Sequence, residues 1–122
     1  MKRDWDIIRT ILLKTENKEE FSPITLSDFS TDKRAFVSYN VELLLESGLI
    51  KGYMSSINND SRIGQDFSIY RLTWEGHEFL DSIKNDNVWK KTKDTFSQNC
   101  ISMSFDLMKS MANEVAKPLL GL

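Results

Sequence analysis

The chain is poor in the residue types that usually carry chemistry. It has one cysteine, one histidine and two prolines in 122 residues. A single thiol, Cys100, cannot close an internal disulfide. A single histidine, His77, cannot build the usual zinc site without cysteine help, and Cys100 stands alone. No metal or cofactor is therefore expected. No apolar run approaches the ~20 residues that span a bilayer. The start, Met1-Lys2-Arg3-Asp4-Trp5-Asp6, lacks the apolar core and small-residue cleavage site of a secretory leader. These absences point to a cytoplasmic protein with no membrane partner. A strong charge of one sign is also missing, since the net charge is −2. A typical DNA binder shows a basic face, because neutralised phosphates supply much of its affinity.

Catalysis finds little material. His77 lies beside Glu78 and one turn before Asp81, which could orient an imidazole. No nucleophile, glycine-rich phosphate loop or second histidine accompanies it. His77 is read as a packing or capping residue and Cys100 as a small residue between helices. No catalytic residue is assigned, and the protein is expected not to be an enzyme.

What is present is helical periodicity with one interruption. Trp5, Ile8, Ile11 and Leu12, joined by Ile7, line one face of a helix over Asp4–Lys14. Thr15–Glu20 reads as a polar connection. Pro23 breaks any helix after it, and Ile24, Leu26 and Phe29 fit a short strand or one helical turn. Val37, Val41 and Leu44 predict a second helix that ends at Gly48, a residue suited to the left-handed stop. The period then changes. Ile50–Ile57 and Phe67–Leu72 alternate around the polar tip Asn58-Asn59-Asp60-Ser61 and Gly64, which predicts a β-hairpin. In its second strand Phe67, Ile69 and the stem of Arg71 share one face. Thr73 is a plausible cap for a third helix, Trp74–Asn85, with Phe79, Leu80 and Ile83 inward. Gly76 marks a close approach of that helix to another element, while Trp74 and Trp89 read as core anchors.

Asn85-Asp86-Asn87 interrupts the pattern, and a helix resumes through Val88, Trp89, Thr92 and Phe96. Ser97-Gln98-Asn99 interrupts again. A terminal helix then carries Ile101, Phe105, Met108, Met111, Ala112 and Val115, ending at Pro118. The expected class is mainly α with a small β-hairpin (α+β). Residues 1–85 would form one domain, and 86–122 a C-terminal helical extension of the same compact unit. Val37, Val41, Leu44, Leu49, Ile69, Leu72, Phe79, Leu80 and Ile83 should share a core. The apolar stripe of the last helix either covers the first helix within one chain or joins two copies into a homodimer. The dimer is the expectation adopted, because methionine suits an adaptable contact surface.

Helix, glycine stop, strand, loop, strand and helix in that order resemble the second half of a winged helix-turn-helix domain. The helix followed by Gly48-Leu49-Ile50 is shared with regulators of the multiple-antibiotic-resistance and arsenical-repressor types. The opening M-K-R-D-W-D-I-I-R-T-I-L-L, the central V-S-Y-N-V-E-L-L-L-E-S-G-L-I and the block R-L-T-W-E-G-H-E-F-L-D-S-I-K-N-D-N-V-W-K-K-T-K together resemble one family over nearly the whole chain. It comprises small bacterial and prophage proteins of unknown function with a winged-helix-like domain. The resemblance implies that fold and a mobile-element origin, and no activity. In the regulators, Ser38, Tyr39 and Asn40 would lie on the DNA-reading helix. Double-stranded DNA contact would fall to Lys33, Arg34, Ser38, Tyr39, Asn40 and Arg62.

Two features weigh against DNA. Only Ile24–Ser30 is available for the positioning helix that precedes a reader helix. Over residues 32–73, Lys33, Arg34, Lys51, Arg62 and Arg71 are matched by Asp32, Glu42, Glu46, Asp60 and Asp66. The leading expectation is a phage or bacterial DNA-binding regulator. The alternative keeps the fold but binds another protein, as a phage-encoded inhibitor or adaptor of a host factor.

Overall fold

A computed structural model describes residues 1–55, 64–99, 104–119 and 121. The chain is α+β: five α-helices and a three-stranded antiparallel sheet stand among the described residues. It divides into two units, Met1–His77 and Glu78–Leu122.

The first unit opens with α1, Trp5–Asn17. Asp4 caps it, its carboxylate accepting from the Ile7 amide at 3.0 Å. The helix runs into the stretch expected to be a polar connection, and Thr15 joins Ile8, Ile11 and Leu12 on the buried face. Its hydroxyl donates to the Ile11 carbonyl at 2.8 Å, so the extra turn buries no unpaired polar group. Ile24–Thr25 then forms β1, and single 3₁₀ turns follow at Leu26–Asp28 and Thr31–Lys33. The stretch after Pro23 is thus both of the expected alternatives in sequence, a short strand and then a turn.

Helix α2 spans Arg34–Ser47. Gly48 ends it at φ +78°, its amide donating to the Leu45 carbonyl while the Leu49 amide donates to that of Leu44. That pair of bonds satisfies carbonyls the helix end would otherwise orphan. Strands β2 (Ile50–Met54) and β3 (Phe67–Leu72) form the expected hairpin. Most of its tip lies outside the described residues. Strand β3 is central, flanked by β1 and β2, both antiparallel to it. Helix α1 packs on α2 and β3.

Thr73 connects three elements. Its amide donates to the Leu49 carbonyl at 3.0 Å, and its hydroxyl donates to the Gly48 carbonyl at 2.7 Å. The same hydroxyl accepts from the Gly76 amide at 3.0 Å, capping α3, Trp74–Ile83. Gly76 is the close approach expected of it: a Cβ there would lie 2.0 Å from the Leu49 carbonyl oxygen. That crossing sets the rotation of α3. Two residues back, Trp74 lies roughly opposite Gly76 on the helix, at about 200°. It is 75% exposed and is not the core anchor expected. Trp89 is buried, as expected. All nine expected core residues, Val37 through Ile83, are buried.

In the second unit Asn85 caps α4, Asp86–Asn99, accepting from the Asn87 and Val88 amides. The helix continues through Ser97 and Gln98 where an interruption was expected. Helix α5, Phe105–Leu119, packs on α4. Phe105 meets Phe79 edge-on at 5.1 Å, and Lys109 pairs with Glu78 at 3.0 Å. No helix among the described residues is long and apolar enough to cross a membrane.

Candidate functional site

Helix α2 carries most of the expected contact residues, and its flanks decide which of them reach solvent. Val37, Val41 and Leu44 define its buried arc. Successive residues turn by about 100°, which sets Asn40 within about 65° of that arc's centre and Ser38 within about 95°. Both are buried, at 0% and 5% exposure.

Each has an internal task. The Asn40 carbonyl oxygen accepts from the Asp4 amide at 2.9 Å, and its amide group donates to the Phe36 carbonyl at 2.8 Å. It therefore ties the start of α1 to α2. The Ser38 hydroxyl donates to the Gln65 carbonyl at 2.6 Å and accepts from the Gln65 amide at 3.1 Å. Beside it, Gly64 sits at φ +82°, where a Cβ would press on Ser38, the Arg34 carbonyl and Ala35. The chain leading into β3 is thus clamped to the first two turns of α2.

Lys33 is exposed, and Tyr39 is partly exposed. Arg34 is half-buried, its Nε donating to the Phe29 carbonyl at 3.1 Å. Arg62 lies outside the described residues. Ser38 and Asn40 are turned inward, so neither shares an exposed surface with Lys33. The outward arc of α2 instead holds Phe36, Tyr39 and Leu43 with Glu42 and Glu46. Phe36 is 51% exposed. No lysine or arginine stands on this arc.

The expected dimer stripe is occupied within the chain. Met108, Ala112 and Val115 are buried in a single copy, and Phe105 packs on Phe79. Met111 is half-buried, and Ile101 and Cys100 lie outside the described residues. The buried part of this stripe offers no open face to a second copy.

A second surface escaped the sequence pattern. Lys51 pairs with Arg71 but Gly52 with Ile69, so β3 carries one extra residue, Tyr70. This bulge breaks the alternation: Ile69 and Leu72 are buried while Tyr70 and Arg71 are both exposed. Arg71 therefore leaves the face it was expected to share with Phe67 and Ile69. Gly52 makes the bulge possible, since a Cβ there would lie 2.1 Å from the Ser68 carbonyl oxygen. Only that glycine, inside an otherwise regular strand, hinted at a bulge.

Tyr70 meets Tyr53 with ring centroids 5.8 Å apart. Hydrogen bonds from Ser68 and then Tyr70 hold the Tyr53 phenol below its ordinary range. Partial desolvation and donation to Tyr53 raise that of Tyr70. Beyond Tyr70 an open groove of about 310 Å³ is lined in part by Glu16, Lys18, Glu20, Arg71 and His77. His77 is about half exposed, its Nδ1 3.9 Å from a Glu16 carboxylate oxygen. It is a surface residue, so the packing half of the packing-or-capping expectation does not hold. Among the described residues no three His, Cys, Asp or Glu side chains converge as metal ligands would.

The fold is thus a small sheet with helices, presenting an apolar-acidic helix face and an aromatic-basic sheet face. The chain belongs to the family described as "Hypothetical protein (DUF2513)", whose model matches residues 2–102. It is 40% identical to an uncharacterized protein of Haemophilus influenzae, covering 99% of this chain and 100% of the relative. No solved structure matches it.

Proposed function

We propose that this is a winged-helix-like, non-enzymatic protein that acts by binding another protein through the outward arc of α2. The winged-helix reading is supported by the element order α1, β1, α2, β2, β3 and by the sheet order β1-β3-β2. The 3₁₀ turns at Leu26–Asp28 and Thr31–Lys33 stand where a DNA-reading relative would carry its positioning helix.

One observation favours a protein over duplex DNA. The arc that would enter a groove carries Phe36, Tyr39 and Leu43 beside Glu42 and Glu46, without a cation. Carboxylates there would repel phosphates. Exposed aromatics instead suit the anchor positions of a protein interface. The matching partner surface is apolar with a basic rim. Such a protein fits a phage-borne or bacterial inhibitor or adaptor of a host factor.

A duplex-binding regulator is the second reading. It is favoured by the position of α2 before the hairpin and by exposed Lys33 at its start. Capture from the native host with nuclease in one arm separates the two. The expected result is a protein retained after nuclease treatment and lost with Phe36→Glu/Leu43→Glu. A gel shift on mixed duplexes at micromolar protein, abolished by Lys33→Gln and unaffected by the α2-face variant, would overturn the protein reading.

A further inference from the structure

We propose that the solvent side of the sheet binds a single-stranded nucleic acid, with Tyr53 and Tyr70 stacking on bases and Lys51 and Arg71 holding phosphates. This surface is independent of the α2 arc.

The first support is the bulge. A regular β3 would send Tyr70 and Arg71 to opposite faces. The extra residue sends both outward, next to Lys51 and Tyr53 of β2. Gly52 is the residue that permits this, because any Cβ would collide with the Ser68 carbonyl. Bulges of this kind re-aim side chains, and they recur beside working surfaces.

The second support is the pair of rings. Tyr53 and Tyr70 are 53% and 50% exposed, and tilt 58° to each other. Ring surface of both therefore stays in water. Stacking on unpaired bases uses such ring faces, and is tolerant of sequence.

The third support is charge. Lys51 and Arg71 are direct cross-strand partners, an arrangement that like charges disfavour. Neither makes an ion pair among the described residues. Arg71 donates to the Leu72 carbonyl at 3.1 Å, which holds its guanidinium near the sheet. An anion between the two cations would relieve their repulsion. Nearby, the Asp66 carboxylate accepts from the Leu26 and Phe67 amides, which offsets its charge. Glu16 and Glu20 in the groove beyond Tyr70 would turn phosphates back toward Lys51. Duplex DNA hides its base faces, so an unpaired strand is the ligand that uses rings and cations together.

The test is fluorescence anisotropy with the full chain and labelled oligo(dT), oligo(U) and a mixed duplex of about 20 units each, longer than one module's usual site. Saturable binding to single strands, tighter than to duplex, is expected. A preference between oligo(dT) and oligo(U) identifies the natural sugar, and equal binding supports recognition of base and phosphate alone. Tyr53→Leu and Tyr70→Leu should each weaken binding by roughly 5- to 100-fold. Lys51→Gln with Arg71→Gln should reduce the steepness of the log–log salt dependence by about 1.4. These two exposed positions keep the test open should a tyrosine variant misfold. No saturable binding at about 100 μM protein, a range that includes weak complexes, overturns the proposal. So does tighter binding to duplex, or affinity and salt dependence unchanged in folded variants.

Discussion

Replacing Gly76 with alanine pits two effects of opposite sign against each other. Inside a helix, Gly→Ala ordinarily stabilises by up to about 1 kcal/mol. Here the new Cβ would lie 2.0 Å from the Leu49 carbonyl oxygen and 3.0 Å from its carbon. The obstacle is backbone, and that carbonyl is itself held by the Thr73 amide. Helix α3 must therefore retreat by roughly an ångström or more to reach ordinary contact, which overpacking data put at about 1–3 kcal/mol or above. The retreat also strains the Thr73 bonds to Leu49, Gly48 and Gly76, each contributing about 1 kcal/mol. After subtracting the propensity gain, a net loss of about 2–4 kcal/mol remains. For a chain this size that lowers Tm by roughly 8–16 °C. Urea and thermal denaturation followed by circular dichroism measure it. Gly48→Ala is the comparison, since nothing lies within 4 Å of its Cβ and only the left-handed φ is penalised. Its loss should be smaller, about 1–2 kcal/mol. A Gly76→Ala protein as stable as wild type would refute the claim that α3 is seated against the Leu49 carbonyl.

Leu44→Ala, at a fully buried site, should cost about 2–5 kcal/mol in urea denaturation. A loss under about 1 kcal/mol would contradict its core position. Asn40→Leu should leave the Asp4 amide short of its acceptor and destabilise by about 1–3 kcal/mol, read as a lowered midpoint. No change would mean that water replaces the bond. Met108→Asp puts a charge at a fully buried site and should collapse the thermal midpoint. A variant that keeps its midpoint and merely loses mass in sedimentation would place the stripe between copies. Tyr70→Phe removes a donor to Tyr53 and should raise the Tyr53 pKa toward the ordinary phenol value. Ultraviolet titration at alkaline pH checks it, and an unmoved Tyr53 would discount the bond.

Much of the fold could be read directly from the residues because its signals are local. Val37, Val41 and Leu44 announce a helix through their spacing, and Gly48 ends it by tolerating φ +78°. The alternation of β2 and β3 and the Thr73 cap need only neighbouring residues. Gly76 was legible for a similar reason, since a glycine inside an apolar helical pattern needs a contact to explain it. The contact surfaces were not legible in this way. On a helical wheel Ser38 and Asn40 border the buried arc, where spacing alone leaves their exposure open. Gln65 and Asp4, distant along the chain, consume their hydrogen-bonding groups. Trp74 reads as a core residue until the Gly76 crossing rotates it outward. Strand alternation assigns Arg71 to the inner face, and the bulge opposite Gly52 turns it out beside Tyr70. Periodicity reports which residues can share a face. Which polar group is used up inside, and which ring is left in water, depends on partners brought together only by folding.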